Sequence, residues 1–343
     1  MSEYHIPVLL TESISALITN PDGTYADATF GGGGHTAAIL SRLHDGGSVI
    51  AFDRDSDALA NAPKDPRLTL IHNNFRFIEN YAWQLKRSFA DAQNDRGTAG
   101  PEGRLSGAFA RTGSRSDAEE SLSSGPAVFD GILADLGVSS HQFDTAERGF
   151  SFRFEEAPLD MRMNREATLT AAAVVNSYEE ADLERILRLY GEVDGARNMA
   201  RLIVKARTEK ALETTGDLDC AVAKMLPKGA EHKVLAKLYQ ALRIEVNQEM
   251  RSLEKFLEGA TASLRPGGRL VVITYHSLED RMVKNFIKTG NIEGVEQKDA
   301  FGRTQTPLEA VNRKPIVPQE SEIAGNTRAR SAKLRIAQRR AAL

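Results

Sequence analysis

The sequence predicts an α/β protein: a Rossmann-like parallel sheet carrying an inserted all-helical domain. Three observations carry that prediction. Short apolar runs alternate with helical patterns through the first third of the chain, as βαβ units do. Strand signals then vanish across residues 143–245, where only helical periodicity remains. A strongly apolar strand returns directly after Gly268.

Thr24 to Ala28 reads as the first strand, followed by Gly31-Gly32-Gly33-Gly34-His35 and a helix from Thr36 to Leu43. Ser48 to Asp53 is a second strand ending on an acid, and a short helix begins near Ser56 and stops before Pro63. Leu68 to His72 is a third strand and Phe77 to Lys86 a helix. From Ser88 to Ala127, 22 of 40 residues are Gly, Ser, Ala or Pro, with no apolar period. So little apolar surface does not offset the entropy of ordering, so residues 88–127 read as a disordered surface insertion. Phe129 to Asp135 restores a buried strand that again ends on an acid. Helices are expected over Leu169 to Asn176, Glu179 to Leu189, Ala196 to Ala206, Leu218 to Lys224 and Lys233 to Glu258. Leu264 to Gly268 stops the last of these, and Arg269 to Tyr275 is the fifth strand. Glu279 to Ile287 is a helix, and Lys333 to Ala337 alternates at period two as a late edge strand. The α/β domain thus comprises residues 1–142 and 246–343, and the helical domain residues 143–245.

A chain of 343 residues exceeds one ordinary core, which agrees with two domains. Charged residues make up 27% and no run approaches the ~20 apolar residues of a membrane helix, so no membrane partner is expected. The start of the chain lacks the basic-then-apolar layout of a signal peptide, and Cys220 is the only cysteine. These features exclude an internal disulfide and a thiolate metal site, and they predict a cytoplasmic protein with no bound metal. The net charge of −3 is unevenly spread. Asn326 to Leu343 holds Arg328, Arg330, Lys333, Arg335, Arg339 and Arg340 and no acid, and Arg197, Arg201, Lys205, Arg207 and Lys210 form a second basic stretch. Such patches bind polyanions or simply solvate a helix face.

A strand, a glycine turn and a helix present bare backbone at the carboxyl edge of the sheet. A dinucleotide fingerprint would need a third glycine where Thr36 stands, and no P-loop pattern occurs. The run instead fits D-x-x-x-G-x-G on Asp27, Gly31 and Gly33, a pattern of S-adenosyl-L-methionine sites. Asp53 lies 20 residues after Gly33, where a carboxylate accepts both ribose hydroxyls. Loop and acid together specify a nucleoside-bearing cofactor. Methyl transfer, hydride transfer with a nicotinamide, and RNA binding on a degenerate fold all stay open at this point.

Beyond the loop, the chain resembles the MraW family of ribosomal RNA small subunit methyltransferases. The resemblance rests on His5 to Glu12, Gly31 to His35, Asp135 to Gln142, Gly149 to Phe152, Pro158 to Met163, Gln240 to Asn247, Pro266 to Gly268 with Tyr275 to Arg281, and Asn326 to Lys333. It covers the whole chain except residues 88–127. It implies a class I methyltransferase sheet, S-adenosyl-L-methionine as cofactor, and N4 methylation of a decoding-site cytidine, position 1402 of 16S rRNA. The implied partner is 16S rRNA in the small ribosomal subunit, with the oligomeric state open between monomer and homodimer. Cofactor contacts carry over onto Gly33, Gly34, His35, Asp53, Phe75, Asp135 and Gln142. The chain departs from the family's pattern at Gly191-Glu192-Val193 and Arg197-Asn198, beside the second basic stretch.

Methylation of an exocyclic amine requires that its N–H groups be held and its lone pair freed from the ring. Asp135, or a carbonyl of the loop after it, is the candidate catalytic acceptor, the alternative for Asp135 being contact with the methionine portion of the cofactor alone. N4-methylating DNA enzymes use a Pro-Pro-aromatic loop, whereas Leu136-Gly137-Val138 has no aromatic. A base-stacking residue is therefore expected elsewhere, with Phe150, Phe152, Tyr275 and His276 as candidates, and Arg328 and Arg330 are expected on RNA phosphates.

Overall fold

The computed structural model describes residues 7–59, 62–94, 126–302 and 304–341. Among the described residues seven strands form one sheet: β1 (Thr24–Asp27), β2 (Ser48–Asp53), β3 (Leu68–His72), β4 (Phe129–Asp135), β5 (Leu264–Thr274), β6 (Leu308–Ala310) and β7 (Lys333–Arg339). Their spatial order is β3-β2-β1-β4-β5-β7-β6. The first five run parallel, and β7 and β6 close the sheet antiparallel. This is the expected Rossmann-like α/β arrangement.

Alternate strand residues point to opposite faces, and both faces are buried. Ile132, Ala134, Leu270 and Val272 join one core with Ile78, Leu85, Phe256 and Phe286. Leu133, Val271 and Ile273 join a second core with Leu9, Leu17, Ile39 and Leu334. Helices Ile78–Asn94, Glu249–Ser263 and Ser277–Thr289 contribute to the first core, and Leu10–Leu17 and Gly34–Leu40 to the second. Leu17 is fully buried, and its truncation to Ala costs about 2–5 kcal/mol.

The chain divides into two compact units, one of Met1–Gly137 with Ser252–Leu343 and one of Val138–Arg251. The second unit is helical: Ser140–Asp144, Ala171–Ser177, Glu180–Leu189, Ala196–Glu209, Thr215–Val222 and Glu231–Asn247. It has its own core, built on Leu183, Ile186, Met199, Ile203, Leu238 and Leu242. Within its basic helix, Arg207 donates to the carbonyls of Val175 and Tyr178 at 2.9 and 2.7 Å, and so serves packing.

Several elements differ from expectation. The strand at Lys333 is not an edge, because the three-residue β6, too short to alternate legibly, lies outside it. The helix expected to end at Lys86 runs to Asn94, with Phe89 packed on the core; the rest of the expected insertion, residues 95–125, lies outside the described residues. The single helix expected over Lys233 to Glu258 is two, broken at Gln248 with φ 49°. Buried Asn247 fixes that break, accepting the Met163 N–H and donating to the Met161 carbonyl, each at 2.8 Å. Leu264 to Gly268 is paired as the start of β5, with a register shift opposite Phe129 and Gly131. The helix Leu10–Leu17 has no counterpart in the sequence reading.

Candidate active site at the carboxyl edge of the sheet

The parallel strands end on one edge, and chain order reverses direction between β1 and β4. Ligands of open α/β sheets bind at such a switch point. The loops after β1, β2 and β4 carry most of the expected contacts to this edge.

Asp27, the last residue of β1, is fully buried. It accepts the Thr36 hydroxyl at 2.6 Å and the Thr29 N–H at 3.0 Å, fastening both ends of the glycine loop to the strand. Burial raises its carboxyl above the usual range, against the opposing pull of His35 and these donors. Between the two fastened ends the backbone adopts conformations that favour glycine. Gly31 has φ 52° and Gly33 φ 76°. A Cβ on Gly34 would stand 2.3 Å from Cγ of Pro7, so the chain's first described residue closes over the loop.

Asp53 ends β2 and accepts the Gly31 N–H on Oδ2 and the Asp55 N–H on Oδ1, both at 2.8 Å. These bonds fix the carboxylate against the loop, and each oxygen keeps a further lone pair for a diol. Burial raises this carboxyl too. Phe75 opens a single 3-10 turn after β3 and packs edge to face on Phe256, ring centroids 5.2 Å apart. It is half-buried, so part of the ring stays uncovered.

Asp135 ends β4. Its N–H donates to Thr29 Oγ1 at 2.7 Å, and its Oδ1 accepts the Tyr275 hydroxyl at 2.8 Å. Its Oδ2 lies 3.7 Å from His35 Nδ1, an electrostatic contact longer than a hydrogen bond. Burial pushes its carboxyl up to about 6; His35 and the Tyr275 hydrogen bond pull the other way. Even so, 17% of its side chain remains exposed, so a ligand can reach it. Burial and the neighbouring Asp135 hold the Tyr275 hydroxyl well above its ordinary pKa, which keeps it a donor.

His35 is 5% exposed, and its Nε2 has no hydrogen-bond partner among the described residues. An orphaned buried nitrogen beside a glycine cradle and a diol-accepting carboxylate is what an adenosine-bearing cofactor satisfies. Gly33, Gly34, His35, Asp53 and Asp135 therefore fit S-adenosyl-L-methionine. Gln142 falls in the helical unit and takes part in a capping box with Ser139, its Oε1 accepting the Ser139 N–H at 3.3 Å.

The stacking candidates are divided between the two units. Tyr275 is engaged by Asp135 and packs near Gly137, where a Cβ would meet its ring at 3.3 Å. His276 caps helix Ser277–Thr289 in a capping box with Glu279. In the helical unit Phe150 is 4% exposed, with the Arg148 guanidinium 5.9 Å from its ring. Phe152 stacks on His232 and packs edge to face on Tyr239, at 5.6 and 5.4 Å. Arg328 and Arg330 are exposed on the 3-10 turn Thr327–Ser331. Sequence reasoning missed Thr29, which holds both Asp27 and Asp135, and Pro7 over Gly34. Thr29 belongs to no glycine or acid pattern, and Pro7 falls in the His5 to Glu12 motif, to which the resemblance assigns no contact.

The model of the MraW methylase family matches residues 2–340. The chain is 51% identical to the ribosomal RNA small subunit methyltransferase H of Bacteroides fragilis, over 98% of each chain. It is 50% identical to the protein of that name from Bacteroides thetaiotaomicron, over 98% of each chain. Against the Flavobacterium johnsoniae protein of that name the identity is 48%, again over 98% of each.

Proposed function

The chain belongs to the MraW methylase family, and from that premise we propose that it methylates the exocyclic N4 of a decoding-site cytidine in 16S rRNA. S-adenosyl-L-methionine, the family's cofactor, supplies a methyl group on a sulfonium, which leaves as a neutral thioether when the C–N bond forms. The observation that carries the reading is Asp135. It ends β4 at the switch point across from the glycine loop, is clamped by Thr29 and Tyr275, and is still reachable.

The N4 lone pair of cytosine is delocalised into the ring. A fixed carboxylate accepting an N–H localises that pair and takes up the developing positive charge. Asp135 accepts on Oδ2 in this reading, the oxygen that does not already take the Tyr275 hydroxyl. The clamp holds it in place without reorganisation during transfer, which is how in-line attack near 3–3.5 Å is favoured. Gly33, Gly34, His35 and Asp53 bind the adenosine end, and Phe75 offers a ring to the purine. The helical unit, Val138–Arg251, serves substrate recognition in this reading.

Purified protein incubated with tritiated S-adenosyl-L-methionine and small-subunit rRNA is expected to place label in N4-methylcytidine after nucleoside digestion. Label in another nucleoside, or NAD binding without transfer, would overturn the proposal.

A further inference from the structure

On the outer side of the sheet, away from the glycine loop, helix Ser277–Thr289 and strands β6 and β7 enclose a groove of about 410 Å³. Among the described residues its charged lining is one-sided: Lys284, Lys288, Arg313, Arg335 and Arg340 against Glu309. Folding accounts for part of this charge. Arg335 forms a bidentate pair with Asp280 at 2.6 and 3.1 Å, which secures β7 to the helix. Arg340 likewise donates to the Leu308 carbonyl at 3.2 Å and lies 4.0 Å from Glu309, whereas Lys284, Lys288 and Arg313 are not used that way. Lys284 and Arg313 are exposed and make no ion pair among the described residues. Lys288 reaches Glu296 at 2.9 Å, but it is 69% exposed, and such a pair exchanges readily for another anion. Lys284 and Lys288 stand one helical turn apart, where like charges repel. Stability therefore gains nothing from their placement.

The groove also has a direction. Thr274, at the reacting edge, pairs with Lys333, Val272 with Arg335, and Arg269 with Gln338, so β7 descends from the edge that holds Asp135. From Arg335 to Arg339 the strand covers about 13 Å, and Arg340 follows it. The lining thus leads from the reacting edge toward the opposite one.

We infer that this groove carries the phosphate backbone of RNA flanking the target nucleotide, with Lys284, Lys288 and Arg313 as its exchangeable phosphate contacts. The inference rests on the RNA substrate proposed above. Each neutralised phosphate releases counterions, so the three side chains together govern the salt dependence of binding.

The test compares Lys284→Gln/Lys288→Gln/Arg313→Gln with a charge-matched control, Arg42→Gln/Lys64→Gln/Lys255→Gln, whose sites are exposed elsewhere on the protein. Affinity for 16S rRNA is measured across salt concentrations, and affinity for adenosylhomocysteine reports an intact fold. The groove variant is expected to lose about tenfold or more in RNA affinity at low salt and to flatten the log–log salt slope by about 2–3, with cofactor affinity unchanged. An unchanged slope in the groove variant, or an equal change in the control, would overturn the groove while leaving the methylation proposal standing. Wild-type protein whose rRNA affinity ignores salt would overturn the groove, and wild-type protein that binds no rRNA would overturn both.

Discussion

The hydroxyl of Tyr275 donates to Oδ1 of Asp135 at 2.8 Å across 140 residues of chain, tying the end of β4 to the segment after β5. Tyr275→Phe removes that bond and little volume. Because the bond favours the ionised carboxylate, the Asp135 pKa, already about 6, rises further. Transfer that needs the carboxylate falls off on the acid side of this pKa in wild type. In the variant the acid limb of the single-turnover pH profile is expected to move to higher pH, with adenosylhomocysteine affinity nearly unchanged. Profiles that superimpose would remove Tyr275 from the mechanism.

Asp135 also has a stability consequence. Its folded pKa lies above its ordinary value of 3.8, so the group favours the fold at low pH, and that contribution is lost as pH rises through about 6. A rise from 3.8 to about 6 corresponds to about 3 kcal/mol. Asp135→Asn keeps an acceptor for Tyr275 and has no charge to bury. Its melting temperature is expected to exceed the wild-type value at pH 8, with the gap narrowing toward pH 5, while methyl transfer is lost. A gap independent of pH would show that burial of the charge is not what destabilises the site.

Asp53→Ala removes the acceptor of the Gly31 N–H as well as the candidate ribose contact. Calorimetric titration with adenosylhomocysteine is expected to show affinity about 30- to 1000-fold weaker, or about 2–4 kcal/mol. Unchanged affinity would place the cofactor elsewhere.

Truncation before Lys333 deletes β7, which pairs on both sides within the sheet. Loss of cooperative unfolding is therefore expected, not a folded protein with weaker RNA binding. A soluble truncated protein with the wild-type melting temperature would contradict the assigned strand order.

The contrast between β7 and the glycine loop shows what was legible in sequence. Ser48 to Asp53 and Phe129 to Asp135 are read to the residue because parallel strands buried on both faces are continuous apolar runs, and the half-buried edge strand Leu68 to His72 is read as well from its own short apolar run. Gly31, Gly33 and Asp53 were visible as a spaced pattern. Partnership across the sheet was not. Nothing near Tyr275 announces Asp135, nothing in Leu308–Ala310 announces a strand, and the break at Gln248 depends on Asn247 bonding to Met161 and Met163 far away in sequence. Aromatic identity alone does not assign a role: Phe150, Phe152 and Tyr275 each make packing or hydrogen-bond contacts, and no local pattern separates such contacts from stacking on a base.

N4 methylation of one decoding-site cytidine in 16S rRNA is tested most directly by mass mapping of cytidines in rRNA from cells with and without this protein. A single N4-methyl mark is expected to disappear on deletion and to return with wild type but not with Asp135→Ala. An N4-methylcytidine pattern indifferent to the protein's presence would contradict the proposed activity.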